Sequence, residues 1–288
     1  MKKILLIASL LFTSYHTNAA QESSLKLDVY NADSNSFTVN ATVLYSDTEA
    51  VVVDTGFTKA DALRIAAKVY DSGKQLTTIF ISQADPDYYF GAEVLHELFP
   101  NAQIITTPAV GEVIAEKRDK KVAFWGPKMG LNAPVKPIIP AIFKGTKISV
   151  DQHIIEIKIH DGVLAHRPYL WIPETKTILG NVAISAGHHV WMADTQTPGI
   201  VNAWLEQLNQ MKALQPLMVI PGHMEAGTAL DDSAIDFTID YIKAFIKAKT
   251  QSTNSSELIA KMAALYPHFK DTSSLELGAK VHMGEMPW

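Results

Sequence analysis

One stretch constrains the fold of this chain more than any other: Ser82-Gln83-Ala84-Asp85-Pro86-Asp87-Tyr88-Tyr89-Phe90-Gly91. It follows an apolar, β-rich run at 76–81 and precedes a helical pattern at 92–99. Two carboxylates, Asp85 and Asp87, therefore stand close together in a strand-to-helix loop at the carboxyl end of a strand. Open α/β sheets place their sites at such strand ends.

The rest of the chain supplies sheets and helices around that loop. Residues 25–30 and 36–45 alternate apolar and polar side chains, the period of half-buried strands, and 31–35 is turn chemistry. Residues 50–53 are continuously apolar, which predicts a strand buried on both faces, and they end in Asp54-Thr55-Gly56. A helix follows at 59–70, closed by Asp71-Ser72-Gly73. Beyond the carboxylate loop come a strand at 104–107 and a helix opened by Pro108 and running to about Arg118. Residues 123–140, rich in Pro, Gly and bulky side chains, read as an irregular cover over a site. The second half predicts strands at 147–150, 153–159, 169–172, 177–179 and 217–220, the last ending in Pro221-Gly222-His223. Helices are expected at 199–214, 233–249, 255–265 and 274–282. Two successive halves without a linker predict one domain, residues 21–288, with helices outside paired sheets.

Lys2-Lys3 followed by the apolar run 4–12 and by Asn18-Ala19-Ala20 reads as a secretory signal peptide over residues 1–20, hence a periplasmic or secreted protein. No other stretch is apolar and long enough to span a bilayer, so no membrane partner is expected after cleavage. The chain has no cysteine, which removes disulfides, thiolate ligands and cysteine nucleophiles from consideration. With 47% hydrophobic residues it has ample material for a core. A net charge of −5 without a long basic run speaks against nucleic-acid binding and leaves a small-molecule substrate or ligand as the expected partner. The oligomeric state is not legible.

The order of landmarks resembles the metallo-β-lactamase superfamily. Antiparallel strands lead into Val53-Asp54-Thr55-Gly56, where Asp54 looks like a turn residue behind the site. The loop has the frame of the superfamily motif His-x-His-x-Asp-His-x-x-Gly. Gln83 and Asp85 stand at the first two histidine positions, Asp87 at the aspartate, Tyr88 at the third histidine and Gly91 at the glycine. Gly180-Asn181 stands where a metal-bridging Gly-Asp is usual, and Pro221-Gly222-His223 keeps the last histidine. The resemblance implies an α/β (α+β) fold, a four-layer αβ/βα sandwich, and a hydrolase in which metal-activated water attacks an ester, lactone, lactam, thioester or phosphoester. It marks a divergent branch, with Gln-x-Asp-x-Asp-Tyr in place of His-x-His-x-Asp-His.

Two readings of the chemistry stay open. In one, Asp85, Asp87 and His223 hold a divalent metal, with Gln83, Asn181, His160, Asp161 or His189 as weaker candidates. An oxygen-rich set favours manganese or another hard ion over zinc. Tyr88 then donates a hydrogen bond to a developing oxyanion, and Tyr88 and Trp125 line a substrate cleft. In the other, no metal binds and the protein is a non-catalytic relative holding a small ligand or a partner. Asp85 and Asp87 would then merely cap the following helix. Of the tandem pair His188-His189, at most one ring can face the site, and His189 is the one expected to do so.

Overall fold

The computed structural model describes residues 24–288, so the expected leader lies outside the described residues. A six-stranded sheet has the order β1 (Lys26–Asn31), β2 (Asn40–Tyr45), β3 (Glu49–Val53), β4 (Gln75–Ile81), β5 (Gln103–Thr106) and β6 (Ala141–Ile142). β1, β2 and β3 pair antiparallel, whereas β3 to β6 run parallel. Helices α1 (Lys59–Ser72), α2 (Pro86–Tyr89), α3 (Ala92–Leu98) and α4 (Pro108–Met129) belong to this half.

The second sheet runs in the order β12, β10, β9, β8, β7. Its strands are β7 (Lys147–Val150), β8 (His153–Lys158), β9 (Tyr169–Ile172), β10 (Thr177–Leu179) and β12 (Met218–Val219). A short parallel pair, β11 (Ser185–Ala186) and β13 (His223–Met224), lies apart from both sheets. Helices α5 (Pro198–Ala213), α6 (Ser233–Thr250), α7 (Ser255–Leu265) and α8 (Ser273–His282) complete the chain.

Strand alternation explains the layering. Val51, Val53 and Phe80 from the first sheet meet Ile155, Leu170, Ile172 and Leu179 from the second, forming the core between the sheets. Their neighbours Val52, Ile79 and Ile81 point the other way, onto Ile65, Leu95 and Ile114 of α1, α3 and α4. Trp171 and Ile178 likewise face α5 and α6 through Trp204, Leu208 and Ile242. The continuously apolar strands are thus buried on both faces, and the layers run helix, sheet, sheet, helix.

Three local expectations are corrected. The strand expected at 36–45 begins only at Asn40, because Phe37 and Thr38 adopt φ of 57° and 55° after a 3-10 turn at Ser34–Ser36. The helix expected to end near Arg118 continues to Met129 despite Pro127. Proline removes one N–H and crowds the carbonyl one turn back, and Gly126 before it, lacking a Cβ, relieves the clash that disfavours a helical residue ahead of proline. The expected irregular cover is therefore helical over its first third, and Trp125 lies on that helix. Its ring packs against Phe37, Phe57 and Phe124 at 4.9–5.4 Å, on the outer helical layer, rather than in a cleft at the carboxylate loop.

Candidate active site

The carboxylate loop is stapled to the Asp54 turn. Thr55 donates to the Tyr88 carbonyl through its backbone N–H at 2.8 Å and its hydroxyl at 3.0 Å. Gly91 N donates to Gly56 O, and a Cβ on Gly91 would overlap the Thr55 carbonyl, so only glycine fits there. Asp54 adopts φ 64°, a conformation that aspartate tolerates better than most residues. Its two carboxyl oxygens accept from the backbone N–H and the hydroxyl of Ser82, each at 2.7 Å. Burial pushes the Asp54 carboxyl up to about 8, against the two Ser82 hydrogen bonds and with a further contribution from the Asp87 charge.

His223 arrives from the other half on β13. It pairs with Ser185 of β11 on one side and bridges Val39 on the other. Asn40 fixes the preceding turn, donating from Nδ2 to Pro221 O at 2.8 Å and from its backbone N–H to Gly222 O at 2.9 Å. Held in this way, His223 Nε2 lies 2.8 Å from Asp87 Oδ2. A carboxylate oxygen accepts, so the hydrogen of this bond is assigned to Nε2. Both side chains are mostly buried, 17% exposed for His223 and 9% for Asp87.

Tyr88 is fully buried, and its hydroxyl donates to the Asn181 carbonyl at 3.0 Å and lies 3.4 Å from His223 Nδ1. Burial first, then the charges of Asp87, Asp54 and Asp85, hold its phenol well above its usual range, so it stays protonated. It props the histidine from behind and does not face outward as an oxyanion donor or a cleft wall. Asp85 caps nothing: its side chain makes no hydrogen bond to the helix behind it. It meets the Lys121 ammonium of α4 at 3.2 Å. Burial alone would raise the Asp85 carboxyl, but the nearby Lys121 and Arg167 charges hold it below its usual range.

The weaker candidates fall elsewhere. Gln83 is buried, and its Nε2 donates to Pro168 O at 2.8 Å. Asn181 uses both ends of its amide on backbone, Nδ2 to Ile220 O and Oδ1 from Ile184 N, so it cannot turn toward a ligand. His189 points into the outer helical core, with Nδ1 3.0 Å from the Tyr241 hydroxyl and its ring edge-on to Phe269. The other member of the tandem pair faces the site instead: the His188 ring stands edge-on to His223 at 6.5 Å. Burial, followed by His223 and His189, lowers His188 to about 4, so it is neutral. His160 packs beside Tyr169, and Asp161 is exposed at the start of a 3-10 turn.

The sequence carried no decisive signal for His188, Lys121 or Arg167. Gly187, with φ 81°, reverses the chain just before the pair and sets which ring points inward. The reach of Lys121 depends on the unanticipated length of α4.

The profile of the metallo-beta-lactamase superfamily matches residues 35–223. The chain belongs to this superfamily. Solved structures share its fold at low identity. A metallo-beta-lactamase family protein from Thermus thermophilus is 15% identical with a TM-score of 0.62, covering 90% of this chain and 91% of that one. A beta-lactamase domain protein from Burkholderia ambifaria is 14% identical with a TM-score of 0.61, covering 85% and 80%. A metallo-beta-lactamase from Pontibacter korlensis is 14% identical with a TM-score of 0.51, covering 79% and 97%. No curated protein matches the chain.

Members of the metallo-beta-lactamase superfamily usually bind divalent metals such as zinc, and their fold supports a hydrolase-like function in general. The donor set of this member does not fit such a metal. Among the described residues no three His, Asp or Glu side chains converge closely enough to share an ion. Tyr88 is a protonated phenol, Asn181 is spent on backbone, and Asp85 is paired with Lys121. Gln83 Oε1 is buried and unpartnered among the described residues, but it is a neutral donor.

Proposed function

We propose that this protein is an exported hydrolase-like enzyme with a remodelled site, in which Asp87 and His223 carry the chemistry. Its substrate is a small molecule with an ester, lactone, lactam or thioester bond. The observation that supports the reading is the 2.8 Å contact between His223 Nε2 and Asp87 Oδ2 at the carboxyl end of β4.

The division of labour follows from which atoms are free. Oδ2 of Asp87 is held by the imidazole, and Tyr88 backs the ring from the far side. Oδ1 remains as an acceptor, so Asp87 takes the proton of a water that attacks the acyl carbon. The same proton can then pass to the leaving group. A positioned general base of this kind contributes roughly 10²–10⁴-fold. His223 fixes the carboxylate in place by donating to it.

Localisation to the periplasm or exterior rests on the Lys2-Lys3 leader pattern, and no nucleic-acid partner is proposed for an acidic chain. The test is a panel of chromogenic small esters, lactones, lactams and thioesters, assayed with the wild type and with Asp87→Asn. Turnover by the wild type that the substitution abolishes supports the reading. Equal rates for both proteins contradict it.

A second reading, a non-catalytic relative that binds a ligand, is favoured by Tyr88 and Asn181. Both stand at ligand positions of the superfamily and both are spent on internal hydrogen bonds. Its signature is a folded wild type without turnover on any member of the panel.

A further inference from the structure

We propose that the distal half of α4 and the segment after it dock on an anionic lipid bilayer. The inference goes beyond the hydrolase reading and does not depend on it.

The first observation is apolar exposure. Leu131 is 100% exposed, Val135 78% and Phe124 57%. Phe37, also exposed, packs its ring on Trp125 at 5.4 Å and extends the patch onto the turn before β2. Clustered exposed apolar side chains mark contact sites on soluble domains. Glu93 of α3 holds the segment in place, accepting from the backbone N–H groups of Val135 and Lys136 at 2.7 and 3.1 Å. A cleft of about 230 Å³ has Arg118, Asp119 and Val122 of α4 on one wall and Val135 and Lys136 on the other, so the two stretches form one surface.

The second observation is charge. Residues 117–136 hold six Lys or Arg and a single Asp, within a chain of net charge −5. Lys117, Lys120, Lys128 and Lys136 are exposed and have no carboxylate partner among the described residues. Lys117, Phe124 and Lys128 recur at the spacing of one helix face, and Lys128 Nζ lies 3.3 Å from the centroid of the Phe124 ring.

Cations interleaved with exposed apolar tips fit a bilayer with anionic headgroups. Such a surface takes the ammonium groups at the level of the phosphates and the apolar tips at the acyl boundary, and the long lysine stems can lie along it. A second copy seated here would set the same cations against themselves. A polyanion in water would leave Leu131 and Val135 uncovered. No described helix is long and apolar enough to cross a membrane. The contact lies on the bilayer instead of spanning it, which revises the expectation of no membrane partner.

The chain from residue 21 is mixed with vesicles of phosphatidylcholine alone, or of phosphatidylcholine with phosphatidylglycerol, and bound protein is read by flotation. Beside it run Lys120→Gln/Lys128→Gln, Leu131→Asp and, as the control, Lys243→Gln/Lys247→Gln at exposed positions of α6, with folding checked by circular dichroism. The expected result is at least about tenfold more binding to the phosphatidylglycerol vesicles than to phosphatidylcholine alone. That preference should vanish at about 1 M salt, where charges act only within about 3 Å. The first two variants are expected to bind at least about tenfold more weakly, and the control to bind like the wild type. No binding to the phosphatidylglycerol vesicles overturns the proposal, as does an equal loss in the control. Heparin binding without vesicle binding overturns it in favour of a soluble polyanion. A dimer that Leu131→Asp dissociates, without vesicle binding, overturns it in favour of a second copy. If Leu131→Asp does not fold, Val135→Asp replaces it with the same outcomes.

Discussion

The Asp87 carboxylate and the His223 imidazole meet at 2.8 Å although 136 positions separate them in the chain. Asp87 stands after β4 of the first sheet. His223 stands on β13, which the second half of the chain brings back against Val39. The contact is therefore a product of the whole sandwich.

Removing one partner leaves a mostly buried polar group without its hydrogen bond. Bonds to charged groups contribute roughly 1.5–3 kcal/mol, so His223→Ala is expected to lose about that much stability. Asp87→Ala should cost a similar amount, and the double variant should cost less than the sum because the two act as one unit. Urea unfolding of the four proteins measures this. Additive losses would mean that the contact contributes nothing.

Tyr88→Phe keeps the ring and removes the hydroxyl that satisfies Asn181 O. A loss of about 1 kcal/mol is expected. Activity should fall as well, through loosened His223, while the pH profile keeps its shape. Thermal unfolding and a rate profile on the best substrate of the panel test the two parts.

Gly222→Ala is expected to be more damaging. A Cβ there would overlap the Asn181 carbonyl and stand 2.5 Å from the Tyr88 hydroxyl, the two atoms that hydrogen-bond behind His223. Overpacking of this kind costs typically about 1–3 kcal/mol. Denaturant midpoints for Gly222→Ala and for Gly227→Ala, whose surroundings are open, make the comparison, although φ 84° adds strain at the latter.

Asp54 gives a pH dependence of definite sign. Its folded-state value of about 8 lies above the ordinary carboxyl value of 3.8. Below the ordinary value both states are protonated and the group contributes nothing to the slope. Between it and about 8 the folded state holds a proton that the unfolded state has lost, so stability falls as pH rises, by up to about 1.4 kcal/mol per pH unit. Above that range the loss is constant. Asp54→Asn tolerates the same backbone conformation and cannot ionise, so its stability should be flatter across the window. Unfolding curves at pH 5, 6, 7 and 8, taken as roughly spanning it, decide the matter. An unchanged slope in the variant would assign the dependence to other groups.

Much of the architecture was readable because burial on two faces leaves a clear mark. Val51-Val52-Val53 and the run ending Phe80-Ile81 cannot be continuously apolar unless both faces are covered, and both are. Boundaries were less readable where local backbone geometry overrides side-chain pattern. Phe37 and Thr38 belong to an alternating run yet turn with positive φ, and Pro127 does not stop α4. In the site, motif order marked Asp87 and His223 as partners of a shared metal, whereas their direct hydrogen bond was not legible. The inward ring of the tandem histidines was not legible either, because it depends on the Gly187 turn. Nor was the partner of Asp85, because it lies one long helix away.

Hydrolysis by the wild type in excess chelator, beside Asp87→Asn, tests the central claim most directly. The chromogenic panel is read after dialysis against EDTA, with folding of both proteins checked by circular dichroism. Turnover that survives the chelator in the wild type and falls at least about 100-fold in Asp87→Asn is the expected result. Turnover abolished by the chelator and restored by added zinc or manganese, or turnover unchanged in folded Asp87→Asn, would contradict it.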